Sequence, residues 1–325
     1  MTAPKPTREP SLLERAAKVY DFSAHVRAPA LRPPEPASAA APAMAAPMYD
    51  EALSASLAAI PAEFRASASD DIDDAFPAIG ESVRVDRAML AERGMIVPGA
   101  PVGSLAEEFR LVKRQLLATA ARIEEGEQAD KARMILVCSG RPGDGKTFCA
   151  INLALSLAAE RDTEVLLVDA DFAKPDVLAQ LGLPDSPGLL DVLADKALDP
   201  EALVLHTDVP HLAILPAGAR NNADTELLAS GRTRAVIARL LAANPRRIIL
   251  FDSPPALAAS PASVLATLVG QVMMVVRADR TPDSELRQSV GLLDGCDHIQ
   301  LLLNAVSFVP GGHRYGTYYG QETMK

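Results

Sequence analysis

Tryptophan is absent from the 325 residues, and aromatic residues make up 4% of them. Any interior must therefore be packed from Ala, Leu, Val and Ile, for which a hydrophobic content of 49% is ample. Cysteine is nearly absent too. Cys138, Cys149 and Cys296 show neither C-x-x-C spacing nor an even-numbered framework, which excludes a disulfide scaffold and a cysteine-rich zinc site and predicts a reducing compartment. Positive charge is in deficit, with 32 Lys and Arg against 42 Asp and Glu and a net charge of −10; no nucleic-acid partner is expected from such a balance. No uninterrupted apolar run reaches the roughly 18 residues a membrane helix needs, and residues 1–9 lack the apolar core of a signal peptide. The expectation is a soluble, cytoplasmic protein, peripheral at the inner membrane only if another protein holds it there.

What is present is unevenly distributed. Residues 11–20 (SLLERAAKVY) have helical spacing, so 1–20 are expected to carry a short N-terminal helix. Residues 28–47 are almost entirely Ala and Pro, which cannot build a core and read as a spacer. An acidic cluster at Asp70, Asp71, Asp73 and Asp74 suits a solvated linker better than a metal site. Together 21–98 are expected to be a flexible, disordered linker, 99–308 the folded domain and 309–325 a Gly/Tyr-rich tail. Ser104 and Glu107 form a capping-box pattern ahead of Leu105, Phe109, Val112, Leu116 and Ala120 at helical spacing. Beyond it, short apolar runs at 134–138, 165–168, 212–215, 247–251, 272–276 and 299–303 alternate with helical patterns at 147–159, 232–243, 259–268 and 284–293. That alternation predicts an α/β fold, a mostly parallel sheet covered by helices on both faces, with ligands at the carboxyl ends of its strands.

The chemistry-bearing residues fall at those ends. Gly140-Arg-Pro-Gly-Asp-Gly-Lys146-Thr147 fits G-x-x-x-x-G-K-[ST] between an apolar strand and an amphipathic helix, which makes the fold a P-loop NTPase. Gly140, Pro142, Gly143, Asp144, Gly145, Lys146, Thr147 and Phe148 are the expected nucleotide-binding residues, with backbone N–H groups around the phosphates. Lys146 neutralises β/γ-phosphate oxygens and Thr147 offers its hydroxyl to magnesium. Asp169 and Asp171 end the next strand; two residues apart on extended chain they point the same way, toward a common ion or hydroxyl, unless they serve as a helix cap and turn. Asp252 ends the apolar run Ile248-Ile-Leu-Phe251, as a Walker B acid does. Near the C-terminus, Tyr315, Tyr318 and Tyr319 lie among glycines, suited to threading into an active site as phosphoacceptors or to a plain aromatic contact.

Together these motifs resemble the bacterial tyrosine kinases of exopolysaccharide synthesis (the BY-kinase family), and within it the autokinases encoded with exosortase-type exopolysaccharide loci. The resemblance covers roughly residues 104–320: Ser139-Gly-Arg-Pro-Gly-Asp-Gly-Lys-Thr147, the acids Asp169, Asp171 and Asp252, the wording Phe251-Asp-Ser-Pro-Pro255, and the tyrosine cluster. Glu107, Arg110 and Lys113 are similar to the family's Glu-x-x-Arg-x-x-Arg oligomerisation motif. Asp144 stands for the usual Glu, and Ala173 occupies the position where the family usually carries Arg.

The resemblance implies an ATP- and Mg2+-dependent tyrosine autokinase that phosphorylates its own C-terminal tyrosines and regulates exopolysaccharide polymerisation or export. Its catalytic set is Lys146, Asp169, Asp171 and Asp252, with Asp169 as base toward the tyrosine hydroxyl and Thr147, Asp169, Asp171 and Asp252 around the metal. Its implied partners are a separate inner-membrane polysaccharide co-polymerase that activates it, further copies of itself through the helix of Glu107, Arg110 and Lys113, and a cognate tyrosine phosphatase. Two other readings share the fold: an ATPase switch of the MinD/ParA group, and a non-catalytic nucleotide-binding regulator. The first carries a Lys where this chain has Arg141, and it does not require a tyrosine tail.

Overall fold

The computed structural model describes residues 82–220 and 224–307, all within a compact unit assigned to residues 75–325. The expected N-terminal helix at 11–20, the Ala/Pro spacer, the acidic cluster and the tail tyrosines lie outside the described residues.

Seven strands form one sheet in the order β3-β4-β2-β5-β1-β6-β7. They are β1 (Met134–Ser139), β2 (Glu164–Asp169), β3 (Leu205–His206), β4 (Leu212–Leu215), β5 (Arg247–Asp252), β6 (Gln271–Arg277) and β7 (Ile299–Asn304). All pairings are parallel except β3 with β4. The apolar runs read from the sequence are these strands; the two-residue β3 is too short to leave a pattern.

Each central strand is buried along its length because side chains alternate between two covered faces. From β1, Ile135 and Val137 enter a core shared with α1 (Arg87–Glu92), α2 (Ser104–Glu124), α3 (Lys146–Ala158) and α4 (Val177–Leu181). Met134, Leu136 and Cys138 enter the opposite core, with α5 (Leu189–Ala194), α6 (Asp224–Ala229), α7 (Gly231–Ala243) and α8 (Pro261–Ala266). α9 (Asp283–Leu292) follows β6. Of the thirteen residues of α3, eleven are buried, as expected of a helix apolar all round.

Two expectations need correction. Residues 82–98 are not linker. Val83 bridges to Thr207, Arg87 pairs with Asp208 at 2.5 Å, and the buried Asn152 accepts from Ile96 N at 2.7 Å. Val85, Leu90 and Met95 are buried in the core, but isolated apolar residues at that spacing show no period from which an element could be read. Ser104 does not cap α2 either: Gly103, extended at φ −94°, is the N-cap without a side-chain bond, and Glu107 pairs instead with Arg110 at 2.5 Å.

Candidate active site

The chain leaves β1 at the centre of the sheet and turns through the P-loop into α3. Gly143 and Gly145 sit at φ 84° and 96°, conformations that glycine adopts without a Cβ penalty. Gly140 lies so close to α9 that a Cβ would come within 2.9 Å of Ser289 Oγ. Asp144, expected against the nucleotide, is 4% exposed and turned inward: its Oδ2 accepts from Arg141 N at 3.0 Å. Its carboxylate shapes the loop, and only its backbone is left to meet a ligand. Lys146, Thr147 and Phe148 open the first turn of α3, where backbone N–H groups lack helical partners and favour an anion.

Parallel register brings the acids together. Asp169 and Asp252 are partners across β2 and β5. Lys146 Nζ reaches Asp171 Oδ2 at 2.6 Å and lies 3.4 Å from Thr147 Oγ1. Burial works against the Lys146 ammonium, but the Asp252 and Asp171 carboxylates more than offset it and hold its pKa above the ordinary lysine value. Asp252 is 0% exposed, and both of its carboxylate oxygens are buried without a hydrogen-bond partner. Burial pushes its pKa up to about 7, against the pull of Lys146 and with a further push from Asp169.

Asp169 differs. Its Oδ1 accepts from Asp171 N at 3.2 Å, and its Oδ2 accepts from Asp176 N and Val177 N at 3.1 Å each. The cap-and-turn role leaves room for another, since a carboxylate offers about four acceptor positions and three are used. Burial raises its pKa to about 6 although those N–H groups oppose the rise. Asp169 borders a cleft of about 450 Å³ shared with Pro175, Asp185, Pro187, Asp191 and Gly218. A second cleft, of about 610 Å³, lies beside the first turn of α3 and is lined by Phe109, Phe148, Leu302, Asn304, Ala305 and Val306. A third cavity, of about 640 Å³, is toward the far end of α3 at Leu155 and Ala158, and its lining carries no carboxylate.

Among the described residues no group of three His, Cys, Asp or Glu side chains is gathered to hold a metal ion by itself. Magnesium does not ask for one: it keeps several waters and is held by one or two carboxylates together with substrate phosphates. The unpartnered Asp252 oxygens, with Asp171 and the Thr147 hydroxyl close by, fit that donor set. The thiols here are buried, and burial pushes Cys138 up to about 11 and Cys149 up to about 12, which keeps them protonated at neutral pH.

Three residues here had no motif to announce them. Asn304 and Arg277 donate to P-loop carbonyls; an Asn or Arg ending an apolar run is too common to be a signal. Arg220 donates from Nη1 to the carbonyl of Ala173 at 3.2 Å, bringing a guanidinium to the loop where the usual Arg is missing. Of the expected interface residues, Glu107 and Arg110 are paired on the surface of α2. Lys113 is 6% exposed, donates to Ser156 O at 2.9 Å and pairs with Glu160 at 2.6 Å. It is committed to its own chain.

Sheet, loop and acids place the protein among the P-loop nucleoside-triphosphate-binding proteins, and residues 132–280 match the family model of an AAA domain. YwqD of Bacillus subtilis (strain 168), a tyrosine-protein kinase, is 27% identical over 215 residues, covering 66% of this chain and 86% of YwqD. ExoP of Rhizobium meliloti (strain 1021), a succinoglycan biosynthesis transport protein, is 29% identical over 262 residues, covering 74% of this chain and 31% of ExoP. The BceF tyrosine kinase domain superposes with a TM-score of 0.51 at 26% identity, covering 60% of this chain and 76% of that domain. Over this domain the chain is similar to bacterial tyrosine kinases. Its match to EpsB of Ralstonia nicotianae, 33% identical over 192 residues and 58% of this chain, spans only 24% of that protein.

Proposed function

We propose that the protein is an ATP-dependent protein-tyrosine autokinase that transfers the γ-phosphoryl group to Tyr315, Tyr318 and Tyr319. The carrying observation is the fully buried Asp252 carboxylate, without a hydrogen-bond partner, at the strand end facing Lys146 and the P-loop. An apolar interior does not leave such a group uncompensated unless something else engages it in the working state.

The P-loop N–H groups and the start of α3 hold the phosphate chain, and Phe148 with the cleft at Leu302, Ala305 and Val306 receives the base. Lys146 is held between Asp171 and the loop, so its ammonium stays charged and placed for the β/γ-phosphate oxygens. Thr147, Asp169, Asp171 and Asp252 would hold magnesium, which when bound with the nucleotide would supply charge neutralisation on the phosphate oxygens. A tyrosine hydroxyl, with a pKa near 10, needs its proton taken or oriented. Asp169 borders the 450 Å³ cleft, and with its pKa raised to about 6 it suits a general base at neutral pH. Because transfer is mostly positioning and charge neutralisation, no further nucleophile is required.

The physiological setting is proposed on the same footing. The family's link to polysaccharide export points to a separate membrane-embedded co-polymerase as activator, to assembly of several copies, and to a tyrosine phosphatase that resets the tail. Among the described residues no helix is long and apolar enough to cross a membrane. The expected location is the cytoplasmic face of the inner membrane, through that partner. The ATPase-switch reading is disfavoured by Arg141, whose guanidinium pairs with Glu285 of its own α9.

Incubation with ATP and Mg2+ followed by mass-spectrometric mapping tests the reading. Phosphate is expected on Tyr315, Tyr318 or Tyr319 and should fall at least about 100-fold in Lys146→Met, a loss of about 3 kcal/mol of transition-state stabilisation. Hydrolysis with bare tyrosines would establish the ATPase switch instead, and neither activity, with the co-polymerase present, the regulator.

A further inference from the structure

The P-loop cradle depends on which way its peptide groups face, and two of them are held from outside by side chains the motif does not contain. Arg277, the last residue of β6, donates from Nη1 to the carbonyl of Gly143 at 2.9 Å. Asn304, the last residue of β7, donates from Nδ2 to the carbonyl of Asp144 at 2.8 Å. Arg277 and Asn304 are register partners across β6 and β7. One rung of the sheet thus presents two donors to two consecutive carbonyls.

In a trans peptide the C=O and N–H point opposite ways. A donor on Gly143 O therefore turns the Asp144 N–H away from the sheet edge, and a donor on Asp144 O does the same for the Gly145 N–H. These planes lie between and beside glycines at φ 84° and 96°, in the kind of backbone that gathers successive N–H groups into an anion-binding concavity. Gly145 belongs to the same contact, since a Cβ there would overlap the Asn304 amide. The other bonds of the loop, Ser139 Oγ to Arg141 O at 2.9 Å and Arg141 N to Asp144 Oδ2 at 3.0 Å, leave the Gly143 and Asp144 carbonyls untouched.

We propose that Arg277 and Asn304 are positioning residues for phosphate binding, acting through the P-loop to set the Asp144 and Gly145 N–H groups before the nucleotide arrives. The proposal rests on the P-loop reading given under Proposed function. Both side chains are partly exposed, so their removal leaves the core intact.

The test is equilibrium binding of a fluorescent ADP to the full chain with Mg2+, competed by ADP and by inorganic pyrophosphate. Arg277→Met and Asn304→Ala are expected to weaken both competitors alike, by about 10-fold each, with Arg277→Lys recovering part of the loss. Thermal unfolding of the ligand-free variants should shift by no more than about 2–4 °C. Pyrophosphate has no base, so a loss confined to ADP would assign the side chain to the base cleft and overturn the proposal. Unchanged affinity for both competitors would overturn it as well. A wild-type chain that binds no ADP would overturn the nucleotide reading itself, a result distinct from either of these.

Discussion

At the scale of single residues, Asp169 and Asp252 face each other across the β2–β5 register, with pKa values raised by burial to about 6 and about 7. In the unfolded chain such carboxylates titrate near 4. Between about pH 4 and pH 7 the folded chain therefore holds more protons than the unfolded one. On this account the stability of the nucleotide-free protein falls as pH rises through that window and levels off once both acids are ionised. Calorimetry without nucleotide or Mg2+ should find a steeper decline in Tm between pH 5 and 7.5 for the wild type than for Asp252→Asn. Equal slopes would show that the Asp252 carboxyl is not held above its ordinary value. The Asp identities were legible in the sequence because a P-loop, an Asp-x-Asp and a further strand-ending Asp follow one another in order. Their division of labour was not: Asp169 is bound by three backbone N–H groups and Asp252 by none, a difference made by the turn at 171–177.

At the scale of elements, α2 shows what periodicity can and cannot specify. Its apolar spacing marks the helix, and Phe109 and Leu116 are buried in the core. A helix turns about 100° per residue, so position 113 lies about 120° around from 107. That rotation moves Lys113 from the exposed face onto α3, where Ser156 O and Glu160 receive it. Removing one partner of an ion pair is costly when it strands the other in the interior, but the Glu160 side chain is 45% exposed and its carboxylate stays in water. Lys113→Met should therefore change stability by no more than about 2 kcal/mol and leave the mass of the assembly unaltered, whereas Arg110→Ala or Glu107→Ala should lower it. Light scattering of the three variants decides this; loss of assembly in Lys113→Met alone would return that residue to the interface.

At the scale of the whole molecule, the proposed cycle couples chemistry to assembly through the tail. Each phosphotyrosine adds about −1.5 to −2 charges, and a chain already at −10 gathers further like charge wherever tails meet. Incubation with ATP and Mg2+ should reduce the mass measured by light scattering, and the Tyr315/Tyr318/Tyr319→Phe variant should keep its size under the same treatment. An unchanged wild-type mass after phosphorylation would separate tail chemistry from assembly.

By itself the sequence determined the α/β class, the P-loop, the three acids and the strands that carry them, because apolar periodicity and the glycine–lysine spacing are local properties of the chain. Only the tertiary structure decided that residues 82–98 belong to the domain, that Lys113 turns inward, and that Arg277 and Asn304 reach the phosphate loop. Those contacts join segments remote in sequence, Arg277 to Gly143 and Asn304 to Asp144 among them, and no local pattern records them. The loop read first as a motif proves to be held in shape by two strand ends more than a hundred residues away.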